Sequence, residues 1–439
     1  MNKYRRYERY KDSGIEWMGE IPEEWEVIPL KRVFKIVNGG TPNSSEENYW
    51  NGEIVWITPN DLSKLTEVYI KDSERKITED GLCNCSAKKV PMNSIIISTR
   101  APIGYVAIAG VDLCTNQGCK SLIPTKVINH KYFYYWIYSI SFYLNALGQG
   151  TTFMELSNSS LSIVELLTPS MNEQKAIANF LDQKTAEIDD LIADKEKLVE
   201  LLQEKRQVVI SEAVTKGLNP NVKMKDSGVE WIGEMPEHWE VNRIKYLATV
   251  NPNKSEVRYL PSEQKVTFIP MDKIIATGKV DYALTNTMEN LINNYTYFRN
   301  EDIIMAKVTP CFENGNIAIV KGLLNGIGFG TTELHVLRCN NKCYNRFLFY
   351  YLQSDIFKSK GISEMYGVAG LKRIPTDFIL NYKLGIPDYQ EQEQIANYLD
   401  KKTSQIDELT YSIQLQIKKL KEYRQSLISE AVTGKIKVL

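Results

Sequence analysis

The chain has 439 residues, which is too long for one ordinary domain and predicts about three units of roughly 150 residues each. Hydrophobic residues make up 43% of the sequence and charged residues 24%, which excludes a disordered or fibrous protein. The net charge of −1 argues against a chain that binds DNA alone by neutralising phosphates, unless basic residues concentrate on one face or partner chains supply part of the contact.

The sequence has no apolar run long enough to span a bilayer, and its first residues lack the apolar core of a signal peptide. We therefore expect a cytoplasmic protein. Its seven cysteines form no CxxC pair, and the chain has only three histidines. This pattern predicts reduced thiols and no metal site.

The first predicted element is an opening segment that occurs twice. KDSGIEWMGEIPEEWEV at residues 11–27 returns as KDSGVEWIGEMPEHWEV at residues 225–241, with only four of seventeen positions changed. A second block, residues 173–215, returns at residues 391–433 with 22 of 43 positions identical. The chain is therefore two copies of one plan, each with an opening segment, a variable domain and a closing helix.

The variable domains share an outline but little sequence. Residues 94–108 (SIIISTRAPIGYVAI) correspond to residues 302–319 (DIIMAKVTPCFENGNIAI), and each stretch predicts two strands around a Pro/Gly turn. The aromatic run at residues 134–137 corresponds to residues 349–352, and each predicts an amphipathic helix. We expect these rings to pack in a core rather than to stack on bases.

The closing blocks predict two long coiled-coil helices without internal Pro or Gly. Steps of four and three residues give a first stripe of Ile177, Leu181, Lys184, Ile188, Leu191, Lys195, Leu198, Leu202, Lys205 and Val209. The second stripe is Ile395, Leu399, Lys402, Ile406, Leu409, Ile413, Gln416, Leu420, Tyr423 and Leu427. Both stripes are apolar enough for the helices to pair with each other.

The helices are expected to run antiparallel. A parallel pair would make the chain return about 50 Å after the first helix, whereas residues 216–225 span at most about 35 Å. The predicted fold class is α+β: two similar mixed α/β domains separated by a long antiparallel two-helix coiled coil, with a pseudo-twofold repeat. The expected limits are residues 1–171 and 217–388 for the domains, and 172–216 and 389–439 for the helices.

Three groups of residues resemble one protein family. The two opening segments, the stretches TPCFENGNIAIV and NGIGFGTTELHVLR, and the EQxxIANxLD helix starts are similar to the specificity subunits of type I restriction–modification enzymes. The resemblance covers nearly the whole chain. It implies two target-recognition domains that read an asymmetric, two-part site in double-stranded DNA. It also implies two methyltransferase subunits that bind S-adenosylmethionine and methylate adenine, and restriction subunits that use ATP and Mg²⁺.

DNA-reading residues are expected among the polar loop side chains. Arg, Asn and Gln suit contacts to guanine and adenine edges, whereas Thr and Lys suit phosphates or the thymine methyl group. The alternative for each residue is turn formation, capping or solvation. The candidates are Asn38, Thr41, Arg100, Asn116, Gln117, Lys120, Thr151 and Thr152 in the first domain, and Asn253, Lys254, Lys307, Thr309, Asn314, Asn316, Thr331, Thr332, Lys372 and Arg373 in the second.

The ends of the two helices are candidate docking surfaces. Identities between the repeated blocks concentrate at their ends and are absent from residues 192–201. An antiparallel pair brings the start motif of one helix against the end motif of the other, which makes two equivalent surfaces for two copies of a partner. The alternative is that these ends pack against the domains. The residues expected to be exposed there are Glu173, Gln174, Asn179, Asp182, Arg206, Glu212, Gln392, Asn397, Asp400, Arg424 and Glu430.

Catalytic signatures are missing from the sequence. It has no NPP[YF] or DPP[YF] run for amino-methyl transfer and no GxxxxGK[ST] phosphate loop. Glu173-Gln174-Lys175 resembles a nuclease ExK, but its repeat is Glu391-Gln392-Glu393 and no upstream acid accompanies it. We expect a non-catalytic subunit that holds no cofactor. The alternatives are the specificity subunit of a system in which one partner chain both methylates and cleaves, and a non-restriction coiled-coil scaffold that binds DNA or proteins.

Overall fold

A computed structural model of the chain describes residues 4–100, 102–148, 154–275, 278–367 and 371–438. Its contacts divide the chain into two compact units, Met1–Lys195 with Leu415–Leu439 and Glu196–Gln414. Each unit contains one mixed α/β head and part of each of two long helices. We call the α/β parts the first head, before residue 171, and the second head, residues 217–388.

The first head begins with the opening segment as a hairpin and continues through two sheets. Its strands are β1 (Tyr10–Asp12), β2 (Glu20–Pro22), β3 (Glu26–Pro29), β4 (Phe34–Asn38), β5 (Trp50–Ile57), β6 (Tyr69–Ile70), β7 (Lys76–Ile77), β8 (Ile95–Ser98), β9 (Val106–Ala109), β10 (Cys114–Thr115), β11 (Cys119–Pro124) and β12 (Glu165–Thr168). Its helices are α1 (Pro59–Lys64), α2 (Glu79–Cys83), α3 (His130–Ser139), α4 (Ser141–Ala146) and α5 (Asn158–Ser162), with short 3-10 turns at Leu30–Arg32 and Glu47–Tyr49.

The larger sheet of the first head has the order β4-β11-β8-β9-β6, and a smaller sheet has the order β10-β5-β7. Strands β8 and β9 are buried at every position, which explains their continuous apolar sequences. Helix α3 begins where the Asn129 side chain accepts the Tyr132 N–H. It buries its aromatic rings in the same core, including Trp136 with no exposed surface. The predicted strands and aromatic helix are confirmed.

The second head repeats this order of elements. Its strands are β13 (Met224–Asp226), β14 (Glu234–Pro236), β15 (Glu240–Arg243), β16 (Ala248–Val250), β17 (Lys265–Ile269), β18 (Thr285–Thr287), β19 (Thr296–Arg299), β20 (Ile303–Ala306), β21 (Ile317–Ile319), β22 (Ile327–Gly330), β23 (Leu334–Cys339) and β24 (Lys383–Ile386). Its helices are α7 (Met288–Leu291), α8 (Asn345–Gln353), α9 (Asp355–Ser363) and α10 (Thr376–Asn381), with 3-10 turns at Ile244–Tyr246, Lys254–Val257, Met271–Lys273 and Leu324–Gly326.

The larger sheet of the second head, β16-β23-β20-β21, matches β4-β11-β8-β9 strand for strand. Its second sheet differs, with the order β18-β17-β22-β19. The parallel pair β17 and β22 corresponds to the parallel pair β5 and β10, but the flanking strands attach differently. The two heads therefore share the strand order of the main sheet and differ in that of the smaller sheet.

Helix α6 (Met171–Lys216) follows the first head, and helix α11 (Tyr389–Val432) follows the second. In the first unit the two helices run antiparallel, since Asp189 bonds Arg424 at 2.8 Å and Lys195 further along α6 bonds Gln416 earlier on α11 at 2.7 Å. In the second unit Arg206 bonds Asp407 at 3.0 Å, and Gly217, just after the end of α6, lies beside Glu391 near the start of α11, where a Cβ on Gly217 would be 3.3 Å from the Glu391 carboxylate. The predicted antiparallel pairing is confirmed within each unit.

Alternate positions of the predicted stripes are confirmed, since Ile188, Ile413 and Leu427 are buried, but the positions between them are wrong. Leu191 and Leu198 are each 43% exposed, whereas Ile192 is 7% exposed and takes the buried position. On α11, Leu409 is 49% exposed and Thr403 is buried. The burial follows a heptad that includes Thr185, Lys195 and Arg206, with equivalents Thr403, Ile413 and Arg424 at a spacing of 218. Polar residues at core positions of the heptad misled a prediction based on hydrophobicity.

Candidate nucleic-acid interface

Each head is fixed to the helices of its unit by the same set of bonds, which we call the head–helix interface. In the first unit the Trp25 indole donates to Glu173 at 3.2 Å, Gln174 accepts the Asn129 N–H at 3.0 Å, and Tyr135 donates to Asp182 at 2.9 Å. The second unit repeats these bonds as Trp239 to Glu391, Tyr344 to Gln392 and Tyr350 to Asp400, at 3.3, 2.8 and 2.7 Å. The repeated helix ends therefore have an internal role.

This interface corrects part of the docking prediction. Gln174 and Gln392, expected to be exposed, are 4% and 0% exposed because their amides cap backbone groups of the heads. Glu173, Asp182 and Asp400 are half-buried by the bonds just described, and Arg206 and Arg424 by ion pairs to Asp407 and Asp189. Asn179, Glu212 and Asn397 are exposed, and Glu430 is half-buried. Whether any of these residues docks a partner stays a prediction.

The polar loop residues of the first head gather along one margin of its main sheet. Three backbone segments meet there: Thr99 donates its N–H to the Gly118 carbonyl at 2.8 Å and accepts the Leu156 N–H at 3.0 Å. Arg100 also forms a β-bridge with Glu155. We call this margin the polar edge of the head. Because its backbone is hydrogen-bonded on both sides, the side chains project from a fixed frame.

The second head has an equivalent polar edge. Lys307 donates its N–H to the Glu333 carbonyl at 3.0 Å and accepts the Ile374 N–H at 2.8 Å, while Val308 bridges Arg373. Lys307 therefore occupies the place of Thr99, Glu333 that of Gly118, and Arg373 that of Glu155. The cap before each turn is also shared, because Asn116 accepts the Gly118 N–H as Thr331 accepts the Glu333 N–H.

An Arg–Glu ion pair lies on each polar edge. In the first head Arg100 Nη2 donates to Glu155 at 2.9 Å. In the second head Arg373 donates from Nε and Nη2 to the two carboxylate oxygens of Glu333, at 2.9 and 2.8 Å. The hydrogen bond from Arg373 lowers the pKa of Glu333, so this carboxylate stays ionised.

Each edge also contains a lysine whose charge acts on its arginine–glutamate pair. Lys120 is 5% exposed, bonds Asn38 at 3.3 Å and lies where the charges of Glu155 and Arg100 act on it; burial lowers its pKa. Lys307 is half-buried, and its charge helps to lower the pKa of Glu333. Each edge therefore combines an arginine, a lysine and a glutamate, and the second edge also has Lys372 next to Arg373.

The other first-head candidates that the structure describes also lie on this edge. Thr41 and Gln117 are exposed and hydrogen-bonded to each other. The loop of Asn38 passes so close to Asn116 that a Cβ on Gly39 would lie 1.9 Å from its carbonyl oxygen, which explains the glycine. Thr151 and Thr152 lie outside the described residues. The structure thus brings Asn38, Thr41, Arg100, Asn116, Gln117 and Lys120 together.

The second-head candidates are more dispersed. Asn253, Lys254, Lys307 and Thr332 line one cleft, together with Asn251, Asn293 and Asn294. Thr309, Lys372, Arg373 and Thr331 lie on the edge segments, where the Thr309 hydroxyl accepts the Lys372 N–H at 3.1 Å. Asn314 instead lines a separate cleft with Arg206 and Gln207. The backbone carbonyl of Asn316 accepts the Ala306 N–H. Asn314 is therefore not part of the group that lines the Lys307 cleft.

Several edge residues escaped the sequence prediction. Glu155 and Glu333 hold the arginines but were not singled out, because an isolated glutamate in a loop carries no signal of its own. His335 lies below the second edge with 2% exposure and contacts the Ile374 carbonyl at 3.1 Å; burial lowers its pKa to about 4. Asn251, Asn293 and Asn294 meet only in the folded head.

The edges contain groups that donate and accept hydrogen bonds in fixed positions, which suits recognition of a polar surface such as the groove of a duplex. Within the described ranges, no three His, Cys, Asp or Glu side chains group as they would around a metal ion. Every helix in that part of the chain is too short or too polar to cross a membrane.

The two heads share one main sheet, differ in the side chains of their polar edges, and are each fixed to paired helices. This architecture defines a protein with two similar recognition domains. The chain belongs to the family of the type I restriction modification DNA specificity domain, whose model matches residues 22–201 and 236–419. One match falls on each head with its following helix. The chain is thus a specificity-subunit family member, as the opening segments and helix starts indicated.

Named relatives and solved structures agree with this family. The MjaIX specificity subunit of Methanocaldococcus jannaschii is 28% identical over all of this chain and 99% of its own length. The EcoAI specificity subunit of Escherichia coli is 39% identical over 40% of this chain and 30% of its own. A chain from a structure on complex assembly and conformational transition of the type I R-M system has a TM-score of 0.72 at 15% identity, covering 95% of this chain and 99% of that one.

The HsdS subunit of Thermoanaerobacter tengcongensis has a TM-score of 0.53 at 14% identity, covering 95% of this chain and 98% of that one. At such low identity these two structures establish the fold alone. The predicted fold class is confirmed.

Proposed function

We propose that this chain is the non-catalytic DNA-recognition subunit of a type I restriction–modification complex. The observation that carries the proposal is the twofold family match, once on each half of one chain, combined with two polar edges whose charged side chains occupy different positions on the same backbone frame. A reader of two identical half-sites would need two identical edges. Two different edges on one scaffold suit an asymmetric duplex target in two parts, one part for each head.

The residues proposed to contact DNA are those of the polar edges, together with the lining of the cleft at Lys254 and Lys307. Residues 1–171 and 217–388 are the proposed recognition domains, and residues 172–216 and 389–439 the proposed helical segments. A net chain charge of −1 gives little overall attraction for phosphates. Partner subunits would therefore supply much of the contact to the DNA backbone.

The proposed partners are two methyltransferase subunits and the restriction subunits. One of the similar solved structures is described by its assembly into a type I R-M complex, which supports this choice. S-adenosylmethionine, ATP and Mg²⁺ would be bound by those partners and not by this chain. The complex would act in the cytoplasm as an adenine-specific DNA methyltransferase and an ATP-dependent endonuclease. Exposed Asn179, Glu212 and Asn397 are the docking candidates that the head–helix interface leaves free of its bonds.

The test is to map methylated adenines in DNA from cells that make this chain with its methyltransferase partner. The expected result is one asymmetric motif with two specified parts and an unspecified interval. Exchange of residues 20–171 for the matching domain of a relative should change one part only, and exchange of the second head should change the other. A continuous motif, or a change of both parts after one exchange, would contradict the proposal.

Co-purification distinguishes the alternatives. The type I assignment expects two methyltransferase chains for each copy of this chain. A single partner chain carrying both methyltransferase and nuclease would indicate the related system. A scaffold would bind its partners equally well with and without DNA and would show no duplex preference.

A further inference from the structure

The polar edges of the two heads carry the same three charged residue types, but every one sits in a different place. The hydrogen-bond frame places Arg100 with Val308, Glu155 with Arg373, and Gly118 with Glu333. On the main sheet Lys120 lies opposite Ile97 as His335 lies opposite Met305, and Lys307 takes the place of Thr99. Not one charge has been kept at its position, so descent from a common head does not explain the shared set.

Stability does not explain the set either. The Arg100 and Glu155 side chains are 44% and 38% exposed, and those of Arg373 and Glu333 are 42% and 30% exposed. Ion pairs at such exposed positions contribute little to folding. The same arrangement has thus arisen from different residues at a place where it gives the fold little, which indicates a requirement of what binds at the edge.

The bonds to the glutamates use only some of the donor hydrogens of each arginine. Glu333 engages Arg373 through Nε and Nη2, so the Nη1 hydrogens and the second Nη2 hydrogen point away from the carboxylate. Glu155 engages Arg100 through Nη2 alone. Arg373 is thus held from its side and keeps its Nη1 and Nη2 end as a pair of donors, whereas Arg100, held through one Nη2 bond, keeps its Nη1 hydrogens and one Nη2 hydrogen. Two such donors match the O6 and N7 acceptors of guanine in the major groove. The carboxylate also reduces the rotamer entropy lost when the arginine binds.

We propose that Arg100 and Arg373 each read a guanine, one in each part of the target, and that Glu155 and Glu333 are positioning residues that orient them. This inference rests on the proposed function, since it specifies how the same edges recognise DNA. It identifies one base pair in each half-site as G·C. A phosphate contact by the same arginines is the competing use, and it carries no base information.

The test uses the intact chain in complex with its methyltransferase partner and duplexes carrying the mapped site. For Arg373→Ala we expect binding to fall about 10- to 100-fold and the preference for guanine to disappear at one base pair of one half-site. Arg100→Ala should do the same in the other half-site. The matched controls are Arg258→Ala in the second head and Arg32→Ala in the first, both exposed arginines, which should change neither quantity.

Two further measurements separate orientation from folding. Glu333→Gln should weaken discrimination at the Arg373 base pair alone, whereas a merely structural defect would weaken binding to every sequence. A duplex with 7-deazaguanine at that base pair removes only N7 and should weaken binding of the unchanged protein but not of Arg373→Ala. This comparison on the unchanged protein remains decisive even if a variant folds poorly.

Uniform weakening of all duplexes by Arg373→Ala, with guanine still preferred, would assign the arginine to a phosphate and overturn the inference alone. Insensitivity of the unchanged complex to 7-deazaguanine throughout both half-sites would overturn it as well. If the unchanged complex showed no sequence preference at all, the proposed function and this inference would both be wrong.

Discussion

The two repeats agree closely in their side chains at the head–helix interface but differ in their side chains at the polar edge. At the interface the same residues make the same bonds, as with Gln174 and Gln392. At the edge the backbone frame is kept but the charged side chains have changed places, as with Arg100 and Arg373. The difference teaches that the two copies keep the side chains that attach a head to its helix, whereas the side chains on the edge, where we propose that each head reads its own DNA sequence, have changed on a constant backbone frame.

The largest expected effect comes from the buried indoles of the interface. Trp25→Ala and Trp239→Ala each remove a side chain with no exposed surface, which should lower the free energy of unfolding by about 3–5 kcal/mol. Urea unfolding with hydrogen exchange should locate the loss in the unit that carries the change. The exposed Trp17→Ala is the control and should cost far less. Equal losses for Trp17 and Trp25 would break the claim that the interface holds the heads.

The second prediction concerns the pH dependence of the unfolding free energy, which His335 should affect in the second head. His335 takes up a proton in the unfolded chain near its ordinary pKa of about 6.5 but in the folded chain only near 4. The unfolded state therefore binds more protons between these values, so stability falls as the pH drops from about 6.5 to 4, by roughly 3 kcal/mol in total. The measurement is the unfolding free energy of the protein and of His335→Asn across this range. Carboxylates affect both proteins alike, so identical pH profiles would contradict the assigned role of His335.

The third prediction tests whether the two head–helix interfaces are equivalent. Gln392 has no exposed surface, accepts the Tyr344 N–H and donates to two carbonyls, so Gln392→Ala should cost about 1–3 kcal/mol by stranding buried backbone groups. Gln174→Ala should cost slightly less, because Gln174 makes one bond fewer. The exposed Gln394→Ala is the control. A loss for one glutamine without the other would show that the two interfaces are not equivalent.

The smallest effect concerns the interhelical ion pairs. A double-mutant cycle on Arg206 and Asp407 should give a coupling of about 0.5–1 kcal/mol, since these side chains are 14% and 36% exposed. The equivalent pair, Arg424 and Asp189, is 23% and 51% exposed and should couple more weakly. High salt should reduce both values. A larger coupling for the more exposed pair would contradict the solvent-screening argument.

The repeats were the part of the fold that the sequence predicted well. A segment that recurs with four changes in seventeen positions predicts a shared element without any knowledge of packing, and the hairpins β1–β2 and β13–β14 confirm it. The heptad phase was harder to predict. At Leu191 and Ile192 two adjacent apolar residues offered two phases, and only contacts from the other helix exclude the first.

The polar edges could be predicted by residue type but not by pairing. Arg100 and its partner Glu155 are 55 positions apart, and Arg373 and Glu333 are 40 apart. Local periodicity does not reach across such distances, and the frame that joins them consists of backbone hydrogen bonds to which side-chain identity is irrelevant. The burial of Gln174 was missed for the same reason, because Asn129, which covers it, lies 45 positions away.

Identical attachment makes the heads exchangeable parts. A first head moved behind the second opening segment would meet the same tryptophan, glutamine and aspartate contacts that it has in its own place, because Glu391, Gln392 and Asp400 stand in for Glu173, Gln174 and Asp182. Recombination between the two repeats of one gene could thus exchange a head while these three contacts are kept.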